Sequence, residues 1–223
     1  MLKADFHMHT DYSPDSEMSP ERLVKRCLKV GLNCIAVTDH NTVEGALAVR
    51  AAAPFFVIIG EEVRSSEGEI TGLFLNETIP RGLSPLETVA RVKEQGGLVS
   101  IPHPFDRFRR SVISRRALEE ILPLTDIVEV FNSRNSLDAD NREAYRLAQE
   151  HGLLASAVSD AHTPMELGRT YVEMLEFDGT AEGFKETLAQ ARIVGRRMNP
   201  LIHVLTTFTK VKKRILRTSR RTH

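Results

Sequence analysis

The stretch KADFHMHTDYSPDS, residues 3–16, decides how the rest of the chain is read. It opens with the alternation of a strand and ends in two histidines one residue apart. Residues i and i+2 of a strand project to the same face, so His7 and His9 point together at the end of the first strand. Carboxylates and hydroxyls follow at once, among them Asp15. An H-x-H pair alone recurs by chance, so what these two of the eight histidines mean depends on what the rest of the chain places beside them.

Working outward, short apolar runs alternate with helical patterns. LNCIAVTD (32–39), FFVIIGE (55–61), GLVSIPH (97–103), DIVEVFN (126–132) and LLASAVSD (153–160) read as strands buried on both faces. GEITGLFL (68–75) is a further strand, expected to pair antiparallel with its neighbour, and RTYVEMLEF (169–177) is expected to be the last. Helices are predicted over 19–31, 84–97, 136–152 and 180–192. The first has Ser19 as N-cap, Pro20 at the first helical position and Gly31 as its stop, and 84–97 and 136–152 are expected to follow the same grammar. Strand and helix alternating at this spacing imply βα units and a mostly parallel sheet. No repeat or low-complexity linker divides the chain, so we expect one domain over residues 1–200 and a basic helix or tail over 201–223.

The unusual residues fall in one kind of place. Asp39 and His40 close the second strand run and Glu61 and Glu62 the third. His103 follows the run LVSIP, Asn132 closes IVEVF, and Asp160 and His162 close LLASAV, again at i and i+2. In parallel α/β folds the C-terminal strand ends share one edge or mouth, where ligands bind. The paired residues at both ends of this series imply a closed or nearly closed barrel. Imidazoles and carboxylates together ligate zinc, iron or manganese. Their number exceeds the three or four that one catalytic zinc takes. A cluster of two or three divalent ions is therefore expected, with a carboxylate such as Glu62 bridging them. His151, beside a helix end, is read as a capping residue.

The motifs DFHMHTDYSPDS, VTDHNTVEG, IIGEEV, IPHPFD and VSDAH resemble those of the PHP family, named for polymerase and histidinol phosphatase. Their order and spacing match up to about residue 176. The resemblance implies a distorted (βα)7 barrel of the TIM-like type, a cluster of two or three metals at its C-terminal mouth, and phosphoesterase activity. It implies His7, His9, Asp15, His40, Glu62, His103, Asp160 and His162 as ligands. Glu62 is preferred to Glu61 because the usual pattern is Gly, any residue, Glu. Two positions depart from the family. Glu69 stands where many small relatives have histidine, and we expect it to face the site as a ligand or an orienter of one. Asn132 stands where some relatives have histidine or cysteine, and its amide is expected to hold a phosphate or a water.

The expected activity is hydrolysis of a small phosphorylated molecule by metal-activated hydroxide, with the metals neutralising the phosphoryl oxygens. His40, His103 and Asp160 are the expected proton handlers. Arg107, Arg134 and Arg169 follow strand-end motifs and are expected, with Asn132, to grip the substrate phosphate. An amidohydrolase is the competing enzyme reading. It shares the H-x-H first strand, but no lysine stands at the end of a middle strand to carry a bridging carbamate.

Charge distribution raises a third reading. The formal net charge is zero, yet ten of the thirty basic residues lie after Glu186, where there is no acidic residue, leaving residues 1–186 with a net charge of −10. A basic tail of this kind can contact nucleic acid, but it holds Phe208 as its sole aromatic and no recognised reading motif, so nucleic acid is not the favoured partner. Instead Leu201, Ile202, Leu205, Phe208, Val211, Ile215 and Leu216 are spaced for a helix packing its apolar face on the body, with Thr218 to His223 mobile. No apolar run is long enough to span a bilayer and no signal-peptide pattern is visible, so a cytoplasmic protein is expected. Cys27 and Cys34 lie in apolar segments and are not expected to pair.

Overall fold

The computed structural model describes residues 1–198 and 202–219, and within the last helix it describes the side chains of residues 206–215. Nine strands among the described residues form one sheet: β1 (Leu2–Asp5), β2 (Cys34–Val37), β3 (Phe56–Ser65), β4 (Gly68–Leu73), β5 (Leu98–Ile101), β6 (Ile127–Asn132), β7 (Leu154–Val158), β8 (Tyr171–Met174) and β9 (Arg192–Val194). Their order in space is β7-β6-β5-β4-β3-β2-β1-β8-β9. β1–β2–β3 and β5–β6–β7 are parallel runs, and β4 joins them antiparallel to both neighbours.

The sheet curls until its first and seventh strands meet at the mouth. Met8 bridges Ala161 in parallel, and His9 N donates to Ala161 O at 2.8 Å. Lower down, β8 pairs antiparallel with Leu2–Ala4 and takes the place beside β1. The result is a nearly closed barrel with one reversed strand and an added hairpin, β8–β9. The expected antiparallel pairing of 68–75 is observed. β8 is not the last strand, however, because Arg192–Val194 adds one where the sequence predicted the end of a helix.

Continuous apolar runs are explained by burial on two faces. Ile35, Val37, Val57 and Ile59 pack outward on the helical layer, against residues such as Leu23, Cys27, Val43 and Val49. Cys34, Ala36 and Ile58, of opposite parity, form a second cluster inside with Ala4, Phe6, Leu73 and Leu98. Phe184 and Leu188 close that inner cluster from below. Each large side chain buried this way contributes roughly 1.5–3 kcal/mol. Cys27 and Cys34 are buried free thiols.

The outer helices are α1 (Pro20–Val30), α2 (Glu44–Ala52), α3 (Pro85–Glu94), α4 (Arg115–Ile121), α5 (Asp138–His151), α6 (Ala181–Leu188) and α7 (Ile202–Ser219). Ser19 caps α1 and Ser84 forms a capping box with Glu87 on α3, as their sequences predict. α5 starts at Asp138 without a side-chain cap, so Ser136 does not play that part.

The C-terminal helix forms, but it lies the other way round from its apolar pattern. Phe208, Val211 and Ile215 are 68%, 52% and 60% exposed. The inward face carries Thr206, which is buried, and Lys213. Lys213 Nζ donates to the carbonyls of Asp11 and Ser13 at 2.8 Å and of Ser16 at 2.5 Å. Lys212 pairs with Glu17 at 2.8 Å. Loop 11–17 presents the carbonyls of Asp11, Ser13 and Ser16 to the helix, and the Lys213 ammonium satisfies them where an apolar face would not. The expected docking of the stripe is thus corrected for its described members. The side chains of Leu201, Ile202, Leu205 and Leu216 lie outside the described ones. Thr218 and Ser219 belong to α7, and residues 220–223 lie outside the described residues.

Candidate metal centre

The strand-end residues converge at the barrel mouth. His7 Nε2 lies 3.0 Å from His9 Nε2, two ring nitrogens aimed at a common point. Glu62 Oε2 lies 3.6 Å from His7 Nε2, 3.5 Å from His9 Nε2 and 3.0 Å from His40 Nδ1, while Glu62 Oε1 lies 3.0 Å from His103 Nε2. Asp160 Oδ1 is 3.7 and 3.5 Å from the same nitrogens of His7 and His9. Asp15 stands on the other side, 3.3 Å from His40 Nε2 and 3.5 Å from His162 Nε2. Glu69 is buried and faces the cluster, its Oε2 3.8 Å from His103 Nε2.

These groups are held from behind. His7 Nδ1 faces Glu129 Oε1 at 2.6 Å, which leaves Nε2 for the cluster. The other oxygen of Glu129 accepts from His103 N at 2.9 Å and from Asn132 Nδ2 at 3.0 Å. His9 Nδ1 lies 3.2 Å from Ser13 Oγ, and Ser13 Oγ donates to Asp39 Oδ1 at 2.6 Å. Asp39 also accepts from Thr10 N and Thr10 Oγ1. Gly45 must be glycine here, since a Cβ would fall 1.9 Å from Asp39 Oδ2. His162 is held through its backbone, whose N donates to Glu166 Oε2 at 2.9 Å, and its Nδ1 lies 2.9 Å from Asp160 O, on the side away from the Nε2 that faces Asp15. Backbone strain gathers at the same place: His103 and Asp160 hold φ of +31° and +53°.

The donors fit divalent ions. Glu62 Oε2, Asp160 Oδ1, Asp15 Oδ1 and Glu69 Oε2 are buried oxygens without a hydrogen-bond partner, and all face the cluster. Such orphaned acceptors are costly unless a cation meets them. Three groups of side chains bring their ligand atoms within 4.8 Å of one another: His9, His40 and His162; His7, His9 and Glu62; and His40, Glu62 and Glu69. Nitrogen and carboxylate oxygen together suit zinc, iron or manganese.

The protonation pattern without metal shows the same tension. Burial opposes ionisation at Glu62, but His7 and His40 hold its carboxyl well below the ordinary range. Asp15 is likewise held low against burial by His162 and His40. Burial opposes charge on His7 and His40, yet Glu129, Asp160 and Glu62 raise the first, and Glu62 and Asp15 the second. His9 goes the other way, lowered by burial and by His162 and His40. Burial raises the Glu69 carboxyl, with the charge of Glu62 adding to the effect.

The model of the PHP domain matches residues 5–119, more than half of the chain, and that of the PHP-associated region matches residues 138–193. The chain belongs to the PHP domain family. Two uncharacterised proteins of Methanocaldococcus jannaschii are similar to it. One is 44% identical over 146 residues, 59% of this chain and 82% of its own. The other is 36% identical over 181 residues, 79% of this chain and 72% of its own. A 5'-3' exoribonuclease of Haemophilus influenzae is 32% identical over 100 residues, 42% of this chain and 36% of its own. Among solved structures, the fold is similar to a two-domain protein from Bacteroides vulgatus containing a predicted PHP-like metal-dependent phosphoesterase (TM-score 0.69, 21% identity, 86% of this chain and 65% of that one). It is also similar to an amidohydrolase from Chromobacterium violaceum (0.63, 19%, 85% and 97%) and to endonuclease Q in complex with an abasic duplex (0.64, 16%, 86% and 58%).

Within this PHP mouth the substrate-binding candidates divide. Arg134 is buried; its Nη1 stands 2.8 Å from His162 Nδ1 and donates to Glu166 Oε1 at 3.1 Å, and its Nη2 donates to Thr206 of α7 at 2.9 Å. It braces His162. Asn132 spends its amide hydrogens on Glu129 and on Asp160 Oδ2, 3.0 and 3.2 Å away, so it too positions ligands. Arg107 turns away from the cluster to Asp140, at 3.0 Å. Arg169 is exposed and makes no ion pair with a site residue. Cations that the sequence did not single out do reach these carboxylates: Arg109 donates to Asp160 Oδ2, and Arg64 Nη1 and Lys210 Nζ stand 3.8 Å from Glu69 Oε1 and from Asp15 Oδ2. Glu129 and Arg109 went unread in the sequence. A glutamate inside the apolar run IVEVF was the available signal for the first; nothing distinguishes Arg109 from its neighbours Arg107 and Arg110.

Proposed function

We propose that this chain is a metal-dependent phosphoesterase with its reaction centre at the barrel mouth. The observation that carries this reading is the set of orphaned, buried carboxylate oxygens facing convergent imidazole nitrogens. His7, His9, Glu62 and Asp160 would hold one ion, and Asp15, His40 and His162 another. Divalent ions bound there supply Lewis acidity toward a phosphoryl oxygen and activation of water. Glu62 offers one oxygen toward His40 and the other toward His103, which suits a bridge. Of the expected proton handlers, His103 and Asp160 are fully buried, whereas the His40 side chain is 16% exposed at the mouth. His40 could hand a proton to a leaving group arriving from solvent only where it is not taken up as a ligand of the second ion. Residues 1–200 form the catalytic unit in this reading, with the basic helix laid over loop 11–17.

The substrate in this reading is a small phosphorylated molecule, which suits a mouth where α7 brings Lys210 Nζ to 3.8 Å from Asp15 Oδ2. A second reading, a terminal nucleotide of a nucleic acid, draws on the exoribonuclease relative and the endonuclease neighbour. Phosphate release from a panel of sugar, amino-alcohol and nucleoside monophosphates, phosphodiesters and 5'-phosphorylated oligonucleotides separates the two. Turnover of amides or lactones in preference to every phosphate ester would reject both in favour of an amidohydrolase.

A further inference from the structure

Of the three residues assigned to the second ion, Asp15 lies in loop 11–17 and His162 follows β7, and contacts from α7 run to both places. Lys213 Nζ donates to the carbonyls of Asp11 and Ser13 at 2.8 Å and of Ser16 at 2.5 Å, on either side of Asp15. Lys212 pairs with Glu17, at the end of the same loop, at 2.8 Å. Within the loop, Ser13 Oγ accepts from His40 N at 3.0 Å, and Ser16 Oγ lies 2.9 Å from the His162 carbonyl. The loop belongs to no strand or helix, so these contacts help to set where the Asp15 carboxylate stands.

A second path leads from α7 to His162. Thr206 Oγ1 accepts from Arg134 Nη2 at 2.9 Å, and Arg134 Nη1 donates to Glu166 Oε1 at 3.1 Å. The other oxygen of Glu166 accepts from His162 N at 2.9 Å and from Thr163 N at 2.8 Å. Thr206, Arg134 and Glu166 are all buried, so removing one partner leaves another desolvated and unmet. The other ion is backed differently. His7 is held by Glu129, and Asp160 by Asn132 and Arg109, none of which is on α7. His9 does meet the loop, at Ser13 Oγ, so the contrast rests on His7 and Asp160.

We propose that α7 positions the second ion's site through Lys213 and Thr206, so that docking of the helix and binding of that ion support one another. This inference rests on the two-ion reading above and deepens it. Asp15 stands 3.3 Å from His40 Nε2 and 3.5 Å from His162 Nε2 while the loop and the turn that carry Asp15 and His162 are held from α7. Ligands ordered in advance spare the ion the cost of ordering them. The coupling is reciprocal: whatever affinity the docked helix lends the ion, the bound ion returns as tighter docking. Lys210 Nζ, 3.8 Å from Asp15 Oδ2 but well exposed, opposes the ion weakly by its charge, and the test leaves it in place.

The test titrates Mn²⁺ against a competing chelator into the whole chain as wild type, as the double variant Thr206→Val with Lys213→Met, and as Phe208→Ser, a control on the exposed face of the same helix. Anomalous-scattering maps assign each affinity to its ion. In the double variant we expect the ion among Asp15, His40 and His162 to bind about 10–100-fold more weakly, with a much smaller change for the other ion and none for either in F208S. Equal weakening of both ions would mean that α7 only stabilises the fold and would overturn the proposal, and so would two unchanged affinities. If the double variant fails to fold, wild type decides: amide exchange across residues 206–215 should slow when Mn²⁺ is added to metal-free protein, and unchanged exchange overturns the proposal. Wild type that binds two ions and hydrolyses phosphate esters without this coupling loses the role of α7 alone. Wild type that binds no Mn²⁺ loses the proposed function together with that role.

Discussion

The barrel mouth and the C-terminal helix meet across loop 11–17, and they obey different rules. At the mouth, residues from β1, β2, β3, β4, β5 and β7 are brought together by a topology that permits few alternatives. Strand parity sends His7 and His9 the same way, and parallel order puts His40, Glu62, His103 and Asp160 at one end. At α7, periodicity identifies a helix and an apolar stripe but says nothing of what lies beneath. Beneath it are the carbonyls of Asp11, Ser13 and Ser16, so Lys213 turns in and Phe208, Val211 and Ile215 turn out. Apolar patterning predicts orientation only where the partner surface is apolar as well.

Substitutions at the two places should therefore differ in kind. The largest effect belongs to Glu62→Gln. It removes the carboxylate shared by four imidazoles and should abolish metal-dependent turnover and lower metal content together; full activity in this variant would reject the bridging role. Glu129→Gln comes next. It weakens the hold on His7 Nδ1 without touching a ligand atom, and should cost 10–100-fold in metal affinity, read by titration against a competing chelator.

At the helix, Lys213→Met leaves three carbonyls without their ammonium donor. Hydrogen bonds involving a charged group contribute about 1.5–3 kcal/mol each, shared here among neighbours and partly replaced by water. We expect a loss of about 1–3 kcal/mol in denaturant unfolding. Phe208→Ser should be the mildest, within about 0.5 kcal/mol, as for other exposed positions. A loss of about 3–5 kcal/mol would mean that the ring is buried after all.

The two places should also answer to different solution conditions. Burial raises the carboxyls of Asp5 and Glu61, each to about 7. The folded chain holds those protons where the unfolded one has released them. Their contribution to metal-free stability is complete below about pH 4 and is lost as the pH rises toward 7. Asp5→Asn should flatten that slope. The Lys212–Glu17 tether is exposed and should weaken with salt instead.

The same contrast explains what the sequence made legible. The barrel, its antiparallel fourth strand and the placement of the strand-end histidines and carboxylates follow from short continuous apolar runs ending in polar residues. Glu129 was hidden because a single charge inside IVEVF does not disturb the strand pattern. Its side chain points inward, where only the folded barrel reveals His7. Arg107 and Arg109 are two residues apart in an irregular loop, and only the path of that loop decides that the second enters the site while the first pairs with Asp140. The short strand β9 carries too little pattern to separate it from the end of α6.

The most direct measurement couples metal content to chemistry in one preparation: metal analysis and phosphate release from a panel of phosphate esters, before chelation, after it, and after reloading with Mn²⁺ or Zn²⁺. We expect bound metal at the outset, loss of metal and hydrolysis together, and return of both on reloading. Hydrolysis that persists in metal-free protein, or reloaded metal with no hydrolysis of any phosphate ester, would contradict a phosphoesterase centre at the barrel mouth.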